Sequence, residues 1–180
     1  AMMPYLKKEY GNPSSVHMLG QAARAAIERS REQVAKLLRA EPIEVVFTSG
    51  ATEANNLVVR GLVQSLGKIH VVASEIEHES VFSVIEELKE QKKITVTYIP
   101  VDKEGVIAIE DVHEAITKDT RLVSIMSANS EVGTVQPIRD IGKIIEQMNE
   151  KRSNKIFFHT DAVQAIQFIP CNVAKLRVDF

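Results

Sequence analysis

The sequence is poor in the features that mark secreted, membrane and nucleic-acid-binding proteins. Its 180 residues include one cysteine, Cys171, no tryptophan and only 5% aromatic residues. A single cysteine excludes an internal disulfide and is typical of reducing compartments, so we expect a cytoplasmic protein. No apolar run approaches the roughly 18 residues that a membrane-spanning helix needs, so we expect no membrane partner.

The charges of the two signs nearly balance. The chain has 22 Lys and Arg residues against 24 Asp and Glu residues, for a formal net charge of −2. It has no basic block and few aromatic side chains to stack on bases, so we expect no nucleic-acid partner. We expect a small-molecule ligand and no metal ion.

Apolar and polar residues recur along the chain with the periods of strands and helices. A chain of 180 residues with 44% hydrophobic residues can build a sizeable core, and one domain is the default expectation. Strands are predicted at 45–48, 69–73, 94–99, 121–126 and 155–160, with another beginning at 177–180. Helices are predicted at 1–10, 17–39, 51 to the glycine at 67, 81–88, 109–116 and 138–148. This alternation predicts an α/β fold with a mainly parallel sheet and helices on both faces.

The stretch from Val45 to Asn56 combines a predicted strand, a tight turn and the start of a helix. The N–H groups and the positive dipole end of a helix can hold an anion, and the hydroxyls of Thr48, Ser49 and Thr52 could add donors. The pattern therefore predicts a phosphate cup. The same residues also fit a helix cap with nothing bound.

Three further polar segments directly follow predicted strands, and they contain His78, Asn129, and Asp161 with Gln164. Ligands bind beyond the carboxyl ends of parallel strands, so the topology brings these segments to the edge that holds the phosphate cup. Pyridoxal phosphate needs donors for its phosphate, a carboxylate for its pyridine nitrogen, a flat partner for its ring and a donor for its phenolic oxygen. Taken singly, Asp161 could be a helix cap and His78 a structural residue.

Five segments, in order along nearly the whole chain, resemble the motifs of one enzyme family. They are GNPSS at 11–15, FTSGATE at 47–53, EH at 77–78, NSEVGTVQP at 129–137 and HTDAVQ at 159–164. The chain resembles the cysteine desulfurases, the NifS/IscS-like members of the class V aminotransferase group, which are pyridoxal-phosphate enzymes of fold type I. The resemblance implies that residues 1–180 form an incomplete large, cofactor-binding domain.

Carried over by position, the resemblance implies roles for the residues that match these motifs. Ala51 and Thr52 would bind the phosphate of pyridoxal 5'-phosphate, and His78 would stack on its ring. Asp161 would pair with the pyridine nitrogen, and Gln164 would reach the phenolic oxygen. His78 is also the candidate catalytic residue, because a histidine can move protons.

The sequence departs from the family's pattern at several points. The family usually has two adjacent asparagines before its Glu-Val-Gly, and Ser130 replaces the second, so we expect Asn129 to supply the cofactor contact. The family's N-terminal segment, its Schiff-base lysine segment and its small C-terminal domain are expected outside these 180 residues. Cys171 comes too early to be the sulfur-accepting cysteine and is expected to be inert. We therefore expect this chain alone to be inactive.

The resemblance implies that the complete enzyme removes sulfur from L-cysteine and gives alanine and an enzyme persulfide. The sulfur would serve iron–sulfur cluster assembly or another sulfur-transfer pathway, with a scaffold or acceptor protein as partner, and the enzyme would be a homodimer. One alternative is a non-catalytic or truncated paralogue that serves as a binding or dimerisation module. Selenocysteine lyase and class V aminotransferase are the alternatives among enzymes.

Overall fold

A computed structural model describes residues 2–180, which form two compact units, 2–46 and Phe47–Phe180. The first unit contains helix α1 (Met3–Lys7), helix α2 (Met18–Leu38) and a 3-10 helix (Pro42–Glu44). The long helix predicted at 17–39 is confirmed. The helix predicted at 1–10 is shorter than expected; residue 1 lies outside the described part.

The second unit is a parallel sheet with helices between its strands. Its elements are α3 (Ala51–Leu66), β1 (Ile69–Ser74), α4 (Glu79–Glu90), β2 (Ile94–Ile99), α5 (Ile109–Ala115), β3 (Thr120–Ser124), α6 (Ile138–Asn149), β4 (Phe157–His159) and α7 (Val173–Leu176). The strands pair in the order β2-β1-β3-β4, and every pair is parallel. The α/β class and the parallel sheet are therefore confirmed.

Side chains of β1 alternate between two hydrophobic clusters. Val71 and Ala73 belong to a cluster with residues of α3 and α4, whereas Val72 belongs to a cluster with residues of α5 and α6. Successive strand residues point to opposite faces, so helices cover both faces of the sheet, as predicted. Ile85 of α4 and Ile141 of α6 are both fully buried, because the apolar residues of each helix recur every three or four positions.

The strand predicted at 45–48 is wrong. Residues 45–48 are irregular, and no described strand pairs with them. Val46 is 67% exposed and Phe47 is 49% exposed. β-branched and aromatic residues favour strands where a neighbouring strand pairs with them, and no strand of the described part pairs with residues 45–48.

The end of the chain follows the edge strand β4 without forming a regular strand. Asp179 N–H and Phe180 N–H both donate to Phe158 O, at 2.8 and 3.1 Å, and Thr160 N–H donates to Phe180 O at 3.0 Å. The strand predicted to begin at 177–180 is therefore wrong at its start, because Arg177 is in the left-handed region at φ 58°, and only Asp179 and Phe180 pair with the β4 backbone.

No helix in the described part of the chain has both the length and the apolar character needed to cross a bilayer.

Candidate functional site

The segments that follow β1, β3 and β4 meet at the carboxyl edge of the sheet. Ser127 N–H donates to Asp161 O at 2.8 Å, and Met126 N–H donates to Glu77 Oε1 at 2.7 Å. These bonds join the segment after β3 to the segments after β4 and β1. The sequence-based expectation that these strand ends share one edge is confirmed by the parallel topology.

Asp161 is held from two sides and keeps capacity for another donor. Its Oδ2 accepts a hydrogen bond from Asn55 Nδ2 at 2.9 Å, and its Oδ1 accepts one from Val163 N–H at 3.1 Å. An ionised carboxylate offers about four acceptor sites. Asp161 could therefore accept a further bond from a ligand.

A buried chain of polar side chains lies behind Asp161. The Oδ1 of Asn55 is 3.2 Å from His159 Nε2, and His159 Nδ1 is 2.8 Å from Ser124 Oγ. Burial lowers the pKa of His159 to about 4, although the nearby negative charge of Asp161 acts in the opposite direction. The His159 ring is therefore neutral near pH 7 and carries a single N–H.

The same asparagine connects Asp161 to His78. Asn55 Nδ2 also donates to Ser80 Oγ at 2.9 Å, and Ser80 Oγ lies 2.8 Å from His78 Nδ1. Ser80 N–H donates to the same Nδ1 at 3.1 Å, which makes His78 the N-cap of α4. His78 and Asp161 are thus joined by three successive hydrogen bonds, each shorter than 3 Å, while the His78 ring stays exposed.

Glu77 is a buried carboxyl group beside this network. Its Oε1 accepts bonds from Ser74 Oγ at 2.5 Å and Met126 N–H at 2.7 Å, whereas Oε2 is buried without a partner among the described residues. Burial raises the pKa of Glu77 to about 8, and the negative charge of Asp161 adds to the rise, while the bonds from Ser74 and Met126 oppose it. Glu77 is therefore largely protonated at neutral pH.

The start of α3 is only partly available to an anion. Ser49 donates both its N–H and its hydroxyl to Glu53 Oε2, each at 2.6 Å, and these bonds lower the pKa of Glu53. The hydroxyl of Thr48 donates to Gly50 O at 3.1 Å. Neighbouring residues thus accept the donors of Ser49 and Thr48 that were expected to face an anion, and the contact of these two residues with a phosphate stays a prediction. No described residue is hydrogen-bonded to the Thr52 hydroxyl, and Thr52 is exposed.

Asn129 lies at the same edge, but its amide is used within the protein. Its Nδ2 donates to Ile76 O at 3.3 Å, and its Oδ1 accepts from Glu131 N–H at 2.8 Å and Val132 N–H at 3.1 Å. The two bonds to Oδ1 stabilise the loop that contains Asn129, and the bond from Nδ2 connects this loop to Ile76. Its contact with a cofactor stays a prediction.

Gln164 is exposed in the turn that follows Asp161, and no described residue is hydrogen-bonded to its side chain. Cys171 is 8% exposed, and burial raises the pKa of its thiol. A buried thiol with a raised pKa is poorly reactive, as expected for this cysteine. Within residues 2–180, no group of three or more His, Cys, Asp and Glu side chains is placed to hold a metal ion.

Sequence reasoning gave no role to Asn55, His159 and Ser124. One signal was present: Asn55 falls on the helical stripe that includes the buried residues Val59 and Leu62, where a polar residue is unusual. A buried amide needs partners, and the strand ends are the nearest polar groups. The identity of those partners depends on side-chain directions in three other elements, which the sequence does not give.

A parallel sheet with a carboxylate, a histidine and a helix N-terminus at its carboxyl edge defines a class of α/β proteins in which small ligands commonly bind at that edge. The family model for aminotransferase class-V matches residues 1–180, and the chain belongs to this family. Aminotransferase class-V enzymes, including the cysteine desulfurases, use pyridoxal phosphate.

Curated relatives and solved structures agree with this assignment. The chain is 44% identical to a cysteine desulfurase IscS of Dictyoglomus turgidum, over 99% of this chain and 44% of that protein. It is also 44% identical to the mitochondrial cysteine desulfurase of Drosophila melanogaster, over 99% of this chain and 38% of that protein. The chain therefore spans less than half the length of these relatives.

Among solved structures, a NifS-like protein matches with a TM-score of 0.92 and 38% identity, over 99% of this chain and 48% of that one. A structure of SspA in complex with cysteine matches with a TM-score of 0.89 and 36% identity, over 99% of this chain and 50% of that one.

Proposed function

We propose that this chain is the cofactor-binding part of a cysteine desulfurase, which takes sulfur from L-cysteine and produces alanine and an enzyme persulfide. Similarity to cysteine desulfurases over 99% of the chain supports this reaction. The observation that carries the proposal is the hydrogen-bonded path that holds Asp161 and His78 together at the sheet edge.

The residues at this edge fit the ring of pyridoxal phosphate. Asp161 keeps acceptor sites for a pyridine N–H, and a nearby carboxylate favours the protonated pyridine. When bound, the cofactor would supply an electron sink for the reacting carbon of the substrate. Gln164 would reach the phenolic oxygen from the exposed turn after Asp161, and Asn129 would stand at the margin of the site.

The start of α3 would hold the phosphate. The N–H groups of its first turn, which includes Ala51 and Thr52, have no acceptor within the helix, and the helix dipole favours an anion there. The Thr52 hydroxyl would add a donor. Ser49 would join only if Glu53 turned away, because Glu53 accepts both of its donors.

His78 would have two roles toward the cofactor and substrate. Its exposed ring would stack on the cofactor ring, and its bond to Ser80, which is itself bonded to Asn55, would limit the rotation of the imidazole. Its Nδ1 is already bound to Ser80, so Nε2 is the atom that would hold and release a proton during the reaction.

We further propose that the 180 residues alone are inactive, because the covalent anchor lysine and the sulfur-accepting cysteine of the family are expected elsewhere. The chain would be mixed with pyridoxal phosphate, reduced with borohydride and digested for mass spectrometry. We expect no single modified lysine. One defined lysine carrying the cofactor would contradict the proposal.

The complete protein is proposed to be a cytoplasmic homodimer that passes sulfur to an acceptor such as an iron–sulfur scaffold protein. The lone cysteine and the similarity to IscS proteins support this setting. Phe168 is 83% exposed and follows Asp161 closely, so a partner subunit would have an apolar side chain to cover.

The proposed reaction is tested with the complete protein, pyridoxal phosphate and a thiol reductant. We expect alanine and sulfide from L-cysteine in equal amounts. A parallel assay replaces L-cysteine with L-selenocysteine, and another adds a keto-acid acceptor. Alanine from selenocysteine alone would identify a selenocysteine lyase, and amino-group transfer alone would identify an aminotransferase. A protein that binds no pyridoxal phosphate would be a non-catalytic paralogue.

A further inference from the structure

Asn55 is the branch point of the polar network. Its side chain is only 4% exposed, and it makes hydrogen bonds to three residues, one in α4, one at the end of β4 and one just after it. One end of the amide meets Asp161 and Ser80, each at 2.9 Å, and the other end meets His159 at 3.2 Å. All the donors and acceptors of this amide, except one lone pair of its oxygen, are thereby used.

The chemistry of these partners allows one arrangement of protons. A carboxylate only accepts, so the NH2 end of Asn55 must face Asp161 and its oxygen must face His159. The neutral His159 must then carry its proton on Nε2, which leaves Nδ1 to accept from the Ser124 hydroxyl at 2.8 Å. Asp161 therefore sets the direction of the Asn55 amide, and the amide in turn sets the tautomer of His159.

We propose that Asn55 is a positioning residue that fixes the carboxylate of Asp161 and the ring of His78 relative to each other. The positioning role rests on the proposed function, in which Asp161 would contact the pyridine nitrogen of the cofactor and His78 would stack on the face of its ring. The Asn55 NH2 group donates to Asp161 directly and to Ser80, which in turn bonds His78. Asp161 therefore cannot turn without breaking its bond to Asn55, and His78 cannot turn without breaking its bond to Ser80, which Asn55 holds in place.

The cost of burying this amide supports a role beyond packing. Val59, Leu62 and Val63, further along the buried side of α3, are apolar. A buried polar group adds little net stability even when it is hydrogen-bonded, so packing alone gives no reason for an amide here. An asparagine, by contrast, has the two N–H donors that Asp161 and Ser80 require.

Three variants separate positioning from stability. Asn55→Ala removes the branch point, and Asn55→Asp keeps its shape but places a carboxylate against Asp161. Asn149→Ala is the matched control, because the Asn149 side-chain amide also both donates and accepts. Its Nδ2 donates to Ile156 O at 2.9 Å, and its Oδ1 accepts from Ile156 N–H at 2.8 Å. That pair precedes β4 and so lies at the amino edge of the sheet.

The first measurement is the affinity of the complete protein for pyridoxal phosphate, together with the visible circular dichroism of the bound cofactor. We expect both Asn55 variants to bind about tenfold more weakly or worse, since a hydrogen bond to a charged group is lost. We expect weaker dichroism, because the ring is held less firmly. Asn149→Ala should lose stability with unchanged affinity and dichroism.

The second measurement needs no variant. Nitrogen-15 NMR of histidine in the cofactor-free protein should show His159 protonated on Nε2 alone from pH 6 to pH 8. Protonation on Nδ1 would overturn the proposed arrangement, even if the Asn55 variants fail to fold.

The outcomes distinguish this proposal from the proposed function. Normal cofactor affinity and dichroism in folded Asn55→Ala protein would overturn the positioning role and leave the proposed function intact. Failure of the unsubstituted complete protein to bind pyridoxal phosphate would overturn both.

Discussion

At the scale of single residues, Glu77 is the carboxyl group whose ionisation is most changed by folding. It is buried, the negative charge of Asp161 acts on it, and among the described residues only its Oε1 has hydrogen-bond partners. Folding keeps Glu77 protonated and so avoids a second negative charge near Asp161, because burial raises the pKa of Glu77 to about 8. Asp161 is thereby left as the carboxylate available to a ligand.

The raised pKa of Glu77 predicts a stability that falls with rising pH. The folded protein holds this proton up to about pH 8, whereas the unfolded chain releases it near pH 4.5. The contribution is therefore complete below pH 4.5 and is lost as the pH rises to about 8. We expect Glu77→Gln to remove this dependence, so that the variant loses about 2–4 kcal/mol less unfolding free energy than the wild type between pH 5 and pH 8.5.

Urea denaturation of the cofactor-free protein at several pH values measures this difference. The comparison uses the slope with pH, because the glutamine amide adds an unsatisfied buried donor whose effect is the same at every pH. Glu75→Gln is the control, since Glu75 is exposed in the same segment. Parallel pH profiles for the wild type and Glu77→Gln would show that Glu77 is ionised in the folded protein.

At the scale of secondary-structure elements, His78 belongs both to a helix terminus and to the proposed site. Its Nδ1 caps α4 through the Ser80 N–H at 3.1 Å, while its ring remains exposed. The capping role needs only an acceptor atom, whereas the cofactor role needs a flat ring. Different substitutions can therefore remove one role and keep the other.

We expect His78→Asn to keep the N-cap hydrogen bond of α4 but to lose the aromatic ring that would stack on the cofactor. We expect His78→Phe to keep an aromatic ring but to lose the N-cap hydrogen bond. Asparagine is a good N-cap, so His78→Asn should unfold at nearly the wild-type urea concentration but bind pyridoxal phosphate weakly. His78→Phe should lose about 1 kcal/mol of unfolding free energy and bind the cofactor more tightly than His78→Asn. Equal cofactor affinity in His78→Asn and the wild type would exclude a ring contact.

The packing of α6 against α7 depends on a glycine. A Cβ atom at Gly142 would lie 2.3 Å from Leu176 O and 2.9 Å from Arg177 Cβ, so the two helices could not keep their distance. At Gly61, in α3, such a Cβ meets no atom within 4 Å apart from the adjacent residues and the backbone of its own helix.

We therefore expect Gly142→Ala to lower the unfolding free energy by about 1–3 kcal/mol through overpacking. Gly61→Ala should raise it by about 0.5–1 kcal/mol, because alanine favours a helix over glycine. The urea concentrations at which the two variants and the wild type are half unfolded measure these differences in stability. A stable Gly142→Ala protein would mean that α7 is not held closely against α6.

At the scale of the whole molecule, the sequence predicts the sheet better than it predicts the site. The strand at 94–99 and the long helices follow from local periodicity, and both are confirmed. The strand at 45–48 has the right composition but fails, because strand formation also needs a neighbour. Parallel topology then brings Asp161, His78 and Asn129 to one edge, which the alternation of strands and helices in the sequence predicts.

The side-chain network could not be predicted in the same way. The path from Ser124 through His159 and Asn55 to Asp161 uses three elements far apart in sequence, and each bond depends on a rotamer. The sequence likewise does not reveal that Ser49 donates its N–H and its hydroxyl to Glu53 instead of leaving them open to a ligand. The sequence therefore predicts which side chains lie at the carboxyl edge of the sheet, and the structure adds the hydrogen bonds that hold them relative to one another.

The central claim is that this sheet edge binds pyridoxal phosphate through Asp161. The most direct measurement is the equilibrium affinity of the complete protein for pyridoxal phosphate, with and without Asp161→Asn, which keeps the shape of the side chain but removes its charge. Asp119→Asn is the control, since Asp119 is exposed and precedes β3, at the amino edge of the sheet. We predict that Asp161→Asn binds at least about tenfold more weakly while Asp119→Asn is unchanged. Equal affinity in Asp161→Asn and the wild type would contradict the claim.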